Sequence, residues 1–103
     1  MPTLSVEISR FVDEHQPGFV ECTFIDVASI RHTILEKVPV VTNESLWSTS
    51  VYPKPGKVPC QVLAEWKDKN GQSVVRVSTE EPFHIESTSG QTEFVVLASQ
   101  VLQ

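Results

Sequence analysis

The chain has 103 residues, with 8 Lys plus Arg against 13 Asp plus Glu and a formal charge of -5. That is enough chain for one domain, and the acidic balance counts against a nucleic-acid binder, which neutralises phosphates with a basic surface. A hydrophobic content of 40% excludes disorder as the default state, while 16 Val and 5 Ile against 3 Ala and 6 Leu favour strands over helices.

Leu4, Val6 and Ile8 alternate with Ser5, Glu7 and Ser9, the period of a half-buried strand, and the phase slips near Arg10, where a bulge is expected. Pro17-Gly18 turns the chain into a second strand with Val20, Cys22 and Phe24 on one face. Asp26-Val27-Ala28-Ser29 then forms a hairpin loop into a third strand, Ile30 to about Val41, completing a meander. His32 and Glu36 intrude on the apolar face of that strand unless a bulge near Ile34-Leu35 turns them outward, and Pro39 puts its far end at a sheet edge.

From Thr42 to Pro59 the alternation stops. This stretch reads as a long loop with one short helical turn, punctuated by Pro53, Pro55, Gly56 and Pro59. Cys60, Val62, Ala64 and Trp66 resume the period, and Asp68-Lys69-Asn70-Gly71 reverses the chain so that Val75 and Val77 complete the same buried face. Phe83 and Ile85 begin a short strand, Thr92 to Leu97 form the last one, and the tail holds a turn of helix.

The expectation is an all-β single domain, residues 1–103, built as a small antiparallel barrel or sandwich of six to seven strands. Meander, helical turn and hairpin succeed one another in an OB-like order over about residues 3–79, and an SH3-like barrel with an extended loop gives nearly the same pattern.

No apolar run approaches the ~18 residues that span a bilayer, and Met1-Pro2-Thr3-Leu4 does not read as a secretory leader, so a cytoplasmic chain without membrane contact is expected. Cys22 and Cys60, each at an alternating position inside a strand-like segment, are expected as buried free thiols.

Little here points to catalysis. There is no Gly-x-Ser-x-Gly, no Cys-His signature and no Gly-rich phosphate loop among 11 Ser, 3 His and 4 Gly, and the His and Cys residues lack the short-spaced pairs of a zinc site. Neither a metal nor a cofactor is expected. Charge is segregated: residues 1–51 carry -4, residues 52–79 carry +3 and residues 80–103 carry -4.

The long loop is therefore the candidate site for a partner, through Trp47, Tyr52, Pro53, Lys54 and Lys57. The competing role, preferred for Trp47, is to plug an open end of the barrel together with Leu46, because large aromatics usually bury most of their area. A non-catalytic protein-binding module that neutralises a basic partner fits the acidic charge. The alternative is an OB-like binder of oligonucleotides or oligosaccharides that uses the basic stretch 54–76.

The pieces Glu36-Lys37-Val38-Pro39-Val40-Val41, Tyr52-Pro53-Lys54-Pro55-Gly56 and Thr79-Glu80-Glu81-Pro82 resemble those of small uncharacterised bacterial β-rich proteins, a resemblance that implies no activity.

Overall fold

The computed structural model describes all 103 residues and contains eight strands, β1 (Thr3–Asp13), β2 (Phe19–Ile25), β3 (Arg31–Lys37), β4 (Lys54–Pro59), β5 (Gln61–Lys67), β6 (Ser73–Ser78), β7 (Glu93–Leu97) and β8 (Val101–Leu102). One helical turn, α1 (Val38–Val41), comes directly after β3. All pairing is antiparallel, in two sheets: β3-β2-β1-β4 with β8 also on β1, and β5-β6-β7. The sheets share one core but do not close into a barrel. The chain passes between them at Cys60, directly from β4 into β5, and again through the 3-10 turn Ala98–Gln100.

The expected alternation on β1 and β2 sets the core. Leu4, Val6 and Ile8 share one face of the larger sheet with Val20, Cys22 and Phe24, and β6 and β7 add Val75, Val77, Phe94 and Val96. The phase slip near Arg10 is a bulge: Ile8 pairs with Cys22 and Arg10 with Glu21, leaving Ser9 extra, so that Phe11 returns to the core side opposite Val20. Outside, Arg10 holds Glu21 at 2.9 Å.

In the second hairpin Cys22 opposes Ile34 and Phe24 opposes His32. No bulge interrupts β3, and His32 stays buried. Its Nε2 hydrogen-bonds Oδ2 of Asp26 at 2.7 Å, and its ring lies against Phe24 and Phe94 with centroids 5.2 and 4.8 Å away. Asp26 also accepts from the N–H groups of Ala28 and Ile30, at 2.8 and 3.0 Å. One carboxylate thus shapes the turn and satisfies the buried imidazole. Val27 N–H donates to Val95 O (3.0 Å), which fastens this turn to the edge strand β7 of the other sheet.

Prolines mislead the sequence reading most. β3 ends at Lys37 rather than near Val41, because Pro39 is tolerated in the first turn of α1, where no N–H is required. The helical turn therefore precedes the 42–59 stretch instead of lying in it. The last third of that stretch is strand β4, residues 54–59. Pro55 and Pro59, opposite Glu7 and Thr3, occupy positions of one parity whose amides would face away from β1, so the ladder loses nothing.

Gly56 is needed where α1 crosses the inner face of β4. A Cβ there would stand 2.8 Å from Ile8 Cγ1 and 3.2 Å from Val41 O.

In the second sheet a bulge at Leu63 displaces the rest of β5. Val62 opposes Val77 on the core face, but Ala64 opposes Arg76 and Trp66 opposes Val74 on the outer face. Trp66 is accordingly 39% exposed, and not buried as its alternation with Val62 implies, with the Arg76 guanidinium 5.8 Å from its ring centre. Phe83 and Ile85 form no strand: residues after Pro82 make a turn that exposes Phe83 and inserts Ile85 into the core, held by Ile85 N–H to Thr79 O (2.9 Å) and by Thr79 Oγ1 donating to Ile85 O (2.6 Å).

Two substitutions test the close packing at Gly56. Gly56→Ala is expected to cost about 1–3 kcal/mol in urea unfolding, by overpacking against Ile8 and Val41. Ile8→Ala removes the obstructing side chain, so the double variant should lose measurably less than the sum of the singles. Additive losses would place the clash elsewhere.

Candidate functional site

A groove of about 590 Å³ lies between the β1–β2 connection and the segment after α1. One wall is Glu14, Gln16, Pro17 and Gly18, the other runs from Val38 to Ser48, and Phe11 lies at the base. Local chemistry joins the walls. Gly18, at φ +89°, passes so close to Phe11 that a Cβ would meet its ring at 3.0 Å, and its carbonyl accepts from Val38 N–H at 3.0 Å. At the mouth, Ser48 Oγ donates to the Glu14 carboxylate.

Leu46, not Trp47, plugs the core beside Val38 and Val41. The smaller aliphatic side chain takes the inward place, and its neighbour Trp47 is left 59% exposed on the groove. Its backbone is nevertheless clamped. Trp47 N–H donates to Ser50 Oγ (3.0 Å), and its carbonyl accepts from Ser50 N–H (3.0 Å) and from the Tyr52 hydroxyl (2.7 Å). Tyr52 is half-buried against the core and acts as the strut of this clamp.

The remaining candidate residues lie elsewhere. Pro53 and Lys54 border a separate shallow depression with Ser5, Glu7, Ile25 and Arg31, and Lys57 sits on β4 opposite Ser5. Lys54 reaches back to Glu44 at 4.0 Å. The basic stretch 54–76 is split, with Lys54 and Lys57 on the larger sheet, Lys67 and Arg76 on the smaller one, and Lys69 in the hairpin turn.

The groove's charged lining consists of Glu14 and Glu44, without Lys or Arg. Sequence reasoning reached Trp47 but missed Glu14 and Glu44, whose only signal was the excess of acid in the first half of the chain, and read Pro17 and Pro39 only as a turn and a strand-edge residue.

Burial pushes the Cys22 thiol up to about 12, with Glu36 and Glu21 adding to the effect, and pushes Cys60 up to about 11. Both thiols are free. No group of three or more His, Cys, Asp or Glu side chains converges as a metal site requires. The His residues pair with carboxylates: His15 with Asp13 (2.6 Å), His32 with Asp26 (2.7 Å) and His84 with Glu86 (2.8 Å). His15 is raised by its side-chain bond to Asp13 and by that charge, while Asp13 is lowered first by the His15 backbone N–H and then by its ring. No helix is long and apolar enough to cross a membrane. No protein-family model, curated protein or solved structure matches the chain.

Cys22 and Cys60 should resist a thiol reagent at pH 8 in the folded chain and react fully in denaturant, because each is buried and protonated there. For Asp26, burial alone raises the carboxyl, but bonds from His32, Ile30 and Ala28 outweigh it and hold the group below its ordinary 3.8. The folded chain then binds fewer protons at this site than the unfolded chain. The resulting stability is complete above the ordinary value and is lost as pH falls through the lowered folded one. Asp26→Asn, which cannot accept at both oxygens, should cost about 1–3 kcal/mol at pH 7 and flatten that acid slope in urea titrations.

Proposed function

We propose that this chain is a non-catalytic protein-binding module that takes a basic segment of another protein into the Trp47 groove and neutralises it. The observation that carries the reading is the exposed Trp47 ring on a backbone clamped by three hydrogen bonds, in a groove whose charged lining is Glu14 and Glu44. A rigid, partly exposed aromatic beside carboxylates supplies stacking area and charge to a Lys- or Arg-bearing segment at low ordering cost. The net charge of -5 adds long-range attraction for the same partner. The non-catalytic part of the reading rests on protonated thiols and on serine hydroxyls that hydrogen-bond no histidine. Two buried free cysteines suit a reducing compartment such as the cytoplasm.

The alternative, an OB-like oligonucleotide or oligosaccharide binder, draws on the order of elements and on the lysines of 54–76. Its support is thinner. That stretch is divided between two sheets, and the outer face of β2 and β3 carries Phe19, Glu21, Thr23, Ile25, Arg31, Thr33, Leu35 and Lys37, with one half-buried ring at its end and no row of aromatics to stack successive bases.

The test reads the fluorescence anisotropy of a dye-labelled Lys/Arg-rich octapeptide titrated with the chain. Saturable binding is expected, weakened ~30-fold by Trp47→Ala, the ~2 kcal/mol of an aromatic hot spot. Glu14→Gln with Glu44→Gln should slow association and reduce its salt dependence. Binding indifferent to Trp47 overturns the proposal, and so does tight binding of single-stranded DNA that is lost on replacing Lys54 and Lys57.

A further inference from the structure

The two sheets treat their edges differently. The edge of β3 is met by Thr88 N–H, which donates to Thr33 O (2.8 Å), that of β7 by Val27 N–H, and that of β4 carries Pro55 and Pro59. β5 has no such cover. None of its seven residues is buried, and no backbone hydrogen bond from outside the sheet reaches it.

The hairpin register shows which amides are free. Asp68 N–H donates to Gln72 O (2.9 Å), so in the antiparallel alternation Trp66 and Ala64 turn their N–H and C=O toward β6, while Glu65 and Lys67 turn theirs to the open edge. The side chains of Glu65 and Lys67 share a face and carry opposite charge. Trp66, between them, lies 39% exposed on the other face beside Arg76.

We propose that a second copy of this chain pairs here, β5 against β5 in antiparallel fashion, about a two-fold axis through Trp66, making one six-stranded sheet. That axis sets Glu65 opposite the partner's Lys67 and Lys67 opposite the partner's Glu65. These two pairs are also the ones whose free amides and carbonyls meet, giving four backbone hydrogen bonds with two ion pairs over them. Trp66 meets its symmetry mate at a non-hydrogen-bonded position, where side chains approach most closely and two large rings stack. Shifting the axis by one residue to Glu65 or to Lys67 sets like charges face to face, so the charge pattern selects the register. The Glu65 carboxylate also accepts from Gln103 Nε2 at 3.2 Å, a side-chain contact that leaves the backbone edge open. The surface is small, which makes the dimer a weak one.

Sedimentation equilibrium of the full chain up to ~1 mM tests this across the weak-affinity range. The wild-type chain should dimerise with rising concentration. Glu65→Lys and Lys67→Glu should each weaken the dimer at least tenfold, and the double exchange should restore it, with circular dichroism unchanged throughout. Under mild oxidation Trp66→Cys should form a cross-linked dimer, because its two copies meet on the axis. Leu63→Cys should not, its copies lying six positions apart, ~20 Å. A wild-type chain monomeric over the whole range overturns the proposal. So does a dimer indifferent to either charge reversal, or cross-linking of Leu63→Cys equal to that of Trp66→Cys.

Discussion

Every strand of the larger sheet except β3 pairs with β1, and the architecture results from what one eleven-residue strand must do for three partners. Its first half gives one side to β4 and, at Thr3 and Leu4, the other side to β8, while its second half pairs with β2. Leu4, Val6 and Ile8 are buried in the process. A straight strand cannot serve partners at both ends of a twisted sheet, and the bulge at Ser9 supplies the bend. The close packing of Gly56 on Ile8 comes from the same demand, because β4 must lie against β1 while α1 crosses its inner face.

The turn at Asp26 is the second fixed point. Its carboxylate satisfies three donors that a polar turn beside an apolar core would otherwise leave unpaired: two amides of the turn and the imidazole of His32. A histidine on the apolar face of a strand is tolerable because its ring packs between Phe24 and Phe94 and its nitrogen is satisfied. Through Val27 and Val95 the same turn ties the larger sheet to the smaller one, so polar chemistry at one corner maintains the register of two sheets whose inner faces meet through apolar contact.

The groove and the open edge both arise where alternation gives way to something else. After α1 the chain runs through bends and a turn with no strand partner, and there Leu46 turns in and Trp47 turns out. Beyond the bulge at Leu63, Trp66 is carried from the inner face to the outer one. Each exposed tryptophan reflects a choice of which neighbour the core accepts. The core accepted the smaller aliphatic group at Leu46 and ended at Val62.

Local pattern determined the strand class, the three-stranded meander, the bulge near Arg10 and the Asp26 and Asp68 turns, because period-two alternation and turn chemistry act between residues close in the chain. Trp47 was legible as a candidate on the same grounds, as a large ring outside any alternating segment. Tertiary structure decided the rest. A proline reads as a loop from sequence, yet Pro55 and Pro59 stand in β4 because β1 requires no amide of them. Pro39 fits α1 since the first turn of a helix leaves that donor unused. The outward turn of Trp66, the gathering of Glu14 and Glu44 beside Trp47, and the division of the basic stretch between two sheets depend on which distant strand arrives opposite each residue. Residues far apart in the chain meet only through packing, and periodicity within one segment carries no information about its partner.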